Sequence, residues 1–104
     1  MSYVTSRQLR VPLIVQGTEL VCSVGPNDLV SKIIVEVSRP TTVTLTIESQ
    51  YLSVTIVQNQ AVMPSAPLWV QRSYVGTLTE ASLFITTTDV TDCFITVVIE
   101  TLCN

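Results

Sequence analysis

The sequence predicts an all-β chain: a single-domain antiparallel β-sandwich of about eight strands, in jelly-roll or Ig-like order. Three observations carry this expectation. Valine, isoleucine and threonine supply 17, 8 and 15 of the 104 residues, and β-branched side chains favour extended backbone. Apolar and polar residues alternate with period two, most plainly in "TTVTLTIE" at 41–48. Turn-forming clusters recur at the short intervals expected of a sandwich.

Strands are expected, in order, at 10–16 (RVPLIVQ), 18–24 (TELVCSV), 30–38, 41–48, 51–58 (YLSVTIVQ), 67–75 (PLWVQRSYV), 81–87 (ASLFITT) and 92–102. Gly17, "GPND" at 25–28, "SRP" at 38–40, "MPSAP" at 63–67, Gly76 and "TDVTD" at 88–92 supply the turns between them. "GPNDLVSK" holds the one candidate for a short helical turn, and a loop is favoured there. Residues 59–67, with two prolines, suit a crossover between sheets or a projecting loop. Residues 1–9 read as an N-terminal arm or edge strand, and 10–104 as the sandwich domain.

Composition bounds the function. Charged residues are 12% of the chain, about half the ordinary share, while hydrophobic residues reach 47% and mean hydropathy is +0.52. A domain of this size does not hide that surplus internally, so part of it is expected to face other chains, in a homo-oligomer or a larger assembly. The five cations, Arg7, Arg10, Lys32, Arg39 and Arg72, form no stripe that would neutralise phosphates, so nucleic-acid binding is not expected. The opening residues lack the apolar stretch of a signal peptide, and six aromatics are too few for the girdles of a membrane barrel, so no membrane role is expected.

Catalytic constellations are equally scarce. Without histidine there is no Ser-His-Asp triad and no Cys-His pair, and three glycines form no phosphate-cradling loop. No catalytic, metal or cofactor site is expected, and no small-molecule substrate. Asp89 and Asp92, joined by Asp28 or Glu80, are the carboxylates that could be gathered round calcium or a glycosidic bond, and ordinary turn chemistry explains them better. Cys22 and Cys93 are expected as small buried hydrophobes, and Cys103, near the chain end, is a candidate for a disulfide between subunits.

The last strand supplies the candidate interface. In 92–102, Cys93, Ile95, Val97 and Ile99 fall on one face and Phe94, Thr96, Val98, Glu100 and Leu102 on the other. Both faces are half apolar, which suggests that the outer one is covered. Threonine keeps such a face soluble without charges that contact would have to desolvate. Phe94, Thr96, Val98 and Leu102, with Arg7 and Arg10 from the N-terminal segment, are the interface candidates. Trp69, alternating with Leu68 and Val70, is expected in core or subunit-interface packing rather than on a sugar, and a recognition patch at Arg72 and Tyr74 is a weaker candidate.

From residue 10 to 102 the chain resembles the small all-β structural proteins of virus particles, particularly the capsid decoration (cement), head-fibre and tail accessory proteins of tailed bacteriophages. The resemblance lies in Thr/Val-rich strands, low charge and the closing strand "CFITVVIETL". It implies a non-enzymatic virion protein that binds the major capsid protein or other virion proteins through sheet faces and termini. The alternatives are a cell-surface or spore-appendage filament subunit and a carbohydrate- or ligand-binding β-sandwich module.

Overall fold

The computed structural model describes residues 3–50, 52–71, 74–75, 80–89 and 92–103, with Tyr3, Tyr74, Val75 and Cys103 described by backbone alone. The chain forms β1 (Tyr3–Pro12), β2 (Gly17–Val24), β3 (Asp28–Glu36), β4 (Thr41–Glu48), β5 (Ser53–Val62), β6 (Leu68–Val70), β7 (Tyr74–Val75), β8 (Ala81–Thr87) and β9 (Phe94–Cys103). There is no helix among the described residues.

Two antiparallel sheets pack face to face. Sheet I runs β1-β9-β3-β6, with β7 on the same flank of β3 farther along, and sheet II runs β2-β8-β4-β5. β6 pairs with Ile33 to Val35 and β7 with Leu29 and Val30, so the two share one position in the sheet. With that position counted once, the orders become first-eighth-third-sixth and second-seventh-fourth-fifth. This is the double Greek key of a jelly roll, which settles the order that the sequence leaves open.

Strict alternation builds the core. β4 and β8 bury every second residue: Val43, Leu45 and Ile47 from one, Ala81, Leu83 and Ile85 from the other. Facing them from sheet I are Ile95, Val97 and Ile99 of β9 and Val30, Ile33 and Val35 of β3. Val30 and Ile33 are an odd number apart, and both point inward because a bulge at Ser31 takes up the extra residue. A second bulge falls at Val21 in β2. A third irregularity lies opposite Thr44, where Asn59 adopts φ 49 and its N–H donates to the Thr44 hydroxyl at 3.0 Å. Asparagine tolerates that left-handed backbone better than most residues, so β5 continues to Val62.

Three strand boundaries differ from expectation. The first strand lies at Tyr3–Pro12, not 10–16, because main-chain pairing with β9 continues through the polar run Thr5 to Gln8, where no apolar alternation marks it. The expected strand 67–75 is broken into β6 and β7. The expected loop 59–67 shrinks to 63–67, closed by reciprocal hydrogen bonds between Met63 and Ala66, and it does carry the chain from one sheet to the other.

Candidate interaction surface

The outer face of sheet I assembles from rows across the ladder. Arg10, Thr96, Ile34 and Trp69 form one row, and Gln8, Val98 and Lys32 the next. Val4 and Leu102 are paired toward one end and both stand exposed. Thus Arg10, Phe94, Thr96, Val98 and Leu102 share one face, as their parity in the sequence implies. Thr96, flanked by Arg10 and Ile34, is buried although it points away from the core.

Two cations lie across aromatic rings on this face. The Arg10 guanidinium sits 4.6 Å from the Phe94 centroid and also pairs with Glu36 at 3.4 Å. The Lys32 ammonium sits 4.6 Å from the Trp69 centroid. Each cation shields aromatic surface and keeps its charge in water, as long basic side chains do when their stems lie on apolar groups. Trp69 is exposed, so the expected core packing for it is not what the chain adopts.

Arg7 does not join the set. It is three residues from Arg10, an odd number, and β1 has no bulge, so it lies on the opposite side of the strand. Its Nη2 reaches Asp28 Oδ2 at 3.7 Å. Asp28 is buried, accepting 2.6 Å from the Thr101 hydroxyl and 2.7 Å from the Gly25 N–H. The Thr101 hydroxyl first, then the Gly25 amide and Arg7, outweigh burial and hold this carboxyl below its ordinary range. Gly25 has no room to spare, since an added Cβ would meet Asp28 Oδ2 at 3.1 Å.

Asp28 opens β3 at one end of the sandwich, whereas Asp89 and Asp92 lie in the β8–β9 connection at the other. The conjectured grouping of these aspartates is therefore not formed. Asp89 donates its N–H to the Thr41 hydroxyl at 3.0 Å, and Asp92 takes a left-handed turn conformation, φ 47. Among the described residues no three acidic or cysteine side chains gather where they would hold a metal ion. Cys93 is buried and Cys22 half-buried, both as free thiols, and burial pushes both thiols up. Cys103, Arg72 and the Tyr74 side chain lie outside the described side chains.

A second apolar feature escapes period-two analysis because it lies in a loop. Between β1 and β2, Ile14 is 75% exposed and Val15 46%. The Glu19 carboxylate accepts from both of their N–H groups, at 3.2 and 3.4 Å. One carboxylate thus holds the backbone while both side chains face outward. Sheet II differs on its outer face, where Thr18, Thr42, Thr44, Thr46 and Thr86 dominate and Leu20 is the large exposed hydrophobe. The Thr18 and Thr86 hydroxyls are 2.9 Å apart across the β2–β8 pair.

The sandwich has two open sides. Between β1 and β2 lie Arg7, Asp28 and Cys22. Between β5 and β6 runs a groove of about 370 Å³, floored by Ile56, Val57 and Leu68 and edged by Trp69 and three glutamines, Gln58, Gln60 and Gln71. No protein-family model matches the chain, and no curated protein or solved structure matches it either.

Proposed function

We propose that this chain is a non-enzymatic structural subunit of a virus particle, binding second copies of itself and other particle proteins through the outer face of sheet I and the Ile14–Val15 tip. The supporting observation is the tip. Two aliphatic side chains stand in water on backbone that Glu19 already orders, so contact with a partner covers them at little further entropic cost. The Val4–Leu102 pair and the cation-shielded Phe94 and Trp69 extend this apolar surface. The jelly-roll order is also a common architecture of capsid domains, which is an argument from fold alone.

Size-exclusion chromatography with light scattering tests the reading. Wild-type protein is expected as an oligomer. Ile14→Asp and Val98→Asp each shift it toward monomer by about a hundredfold in dissociation constant, the effect of losing one well-packed interface residue. Both positions lie off the core, so the circular dichroism melt stays close to wild type. A protein that remains monomeric at about 1 mM, well above ordinary oligomer dissociation constants, contradicts self-association. The virion assignment is tested by particle composition: mass spectrometry of purified particles from the source is expected to find the chain at defined stoichiometry, and its absence there overturns that part.

A further inference from the structure

We propose that the groove between β5 and β6 binds a neutral oligosaccharide, with Trp69 stacking on a pyranose ring and Gln58, Gln60 and Gln71 hydrogen-bonding its hydroxyls. The first ground is donor and acceptor chemistry. A primary amide offers two N–H donors and a carbonyl acceptor, which matches a sugar hydroxyl that both donates and accepts. Three such amides border one groove, and among the described residues Gln58 and Gln71 make no hydrogen bond that would occupy them. Gln60 makes only a long contact, 3.4 Å from Nε2 to the Ala61 carbonyl.

The second ground is charge. None of the residues lining the groove is ionisable, so it offers nothing to neutralise a phosphate, a carboxylate or an ammonium. An uncharged polar ligand is what such a lining selects. The third ground is the apolar component. The floor of Ile56, Val57 and Leu68 beside an exposed indole gives a sugar's C–H face an apolar surface, while the amides reach its hydroxyls. Lys32, over the Trp69 ring, steadies the indole before any ligand arrives. The volume is at the lower end of the range for ligand sites, matching a short saccharide segment.

Trp69 is the only tryptophan in the chain, so its emission reports the groove directly. Wild-type protein is titrated with cellotetraose, chitotetraose and maltotetraose. At least one is expected to shift the emission saturably, with a dissociation constant of roughly 10⁻⁵ to 10⁻³ M. Gln58→Ala and Gln71→Ala each weaken that binding about tenfold, the worth of one well-made hydrogen bond, and leave the thermal midpoint in place because both side chains are exposed. No saturable response from any of the three sugars overturns the proposal. So does binding that both variants retain at wild-type strength, or a response confined to a sulfated heparin tetrasaccharide and abolished by salt. The result is separable from the assembly reading: a monomer that binds these sugars upholds the groove and refutes self-association, and a sugar-blind oligomer does the reverse.

Discussion

The outer faces of the two sheets resolve the same difficulty by different chemistry. Sheet II carries threonines whose hydroxyls meet one another and water, as Thr18 and Thr86 do at 2.9 Å. Sheet I carries aromatic and aliphatic groups with Arg10 and Lys32 laid over the rings. A hydroxyl face is soluble as it stands and leaves little apolar area to be recovered by contact. A cation-shielded face is soluble too, yet a partner that displaces or shares the cation gains apolar burial. The contrast teaches that low charge alone does not mark an interface; where the few charges sit separates the two faces.

The largest expected effect tests the layer both faces share. Val97 is fully buried between Leu9 and Ile33, and Val97→Asp leaves an unpaired charge there. A loss of more than about 4 kcal/mol is expected, seen as an unfolded circular dichroism spectrum. Equal damage to folding from Val97→Asp and Val98→Asp would show that sheet I has no free outer face at this strand.

The second test asks whether acid sensitivity belongs to sheet I. Because the Asp28 carboxyl is held below its ordinary value in the folded chain, its contribution is complete above the unfolded-state value of about 4. That contribution declines as pH falls and is gone below the folded value. Asp28→Asn is expected to cost about 2 kcal/mol at pH 7 through the lost charge-assisted hydrogen bonds. The gap between wild type and variant closes in acid. Urea midpoints measured between pH 7 and 2 check this, and a gap that stays constant refutes it.

Smaller effects separate the faces themselves. Arg10→Ala removes both the Phe94 contact and the Glu36 pair, at an expected cost of about 0.5 to 1 kcal/mol. Thr18→Val removes one hydroxyl of an exposed pair, and Thr86 then turns to water, so the midpoint is expected to move by less than about 0.5 kcal/mol. If the threonine change costs more than the arginine change, hydroxyl pairing on sheet II is cooperative and the contrast needs redrawing.

Period-two alternation makes the faces of β4, β8 and β9 legible in the sequence, and with them Phe94, Thr96, Val98 and Leu102 as a set. It fails where the backbone inserts a residue, at Val21, Ser31 and Asn59, because one extra residue reverses the parity of all that follows. It fails in β1, where pairing is carried by main chain and the residues from Thr5 to Gln8 give no apolar signal. Within that strand, parity alone still separates Arg7 from Arg10, so the two arginines are distinguishable without a fold. The groove is not accessible in this way: Gln58 and Gln71 are 13 positions apart, and only the jelly-roll order brings the edges of β5 and β6 together.

The pairing of Tyr3 with Cys103 sets a constraint in time. During synthesis the N-terminal strand is the first made and the last to find its place, since β9, which sits between it and β3, emerges after everything else. Loop-closure entropy is steepest for such a join, so the chain should fold slowly for its length, with an unsatisfied ribbon waiting on a half-built sheet. A chaperone or a crowded assembly site would meet the polypeptide in that state, and Thr5, Ser6, Arg7 and Gln8 are the residues that keep the waiting segment from sticking to its neighbours.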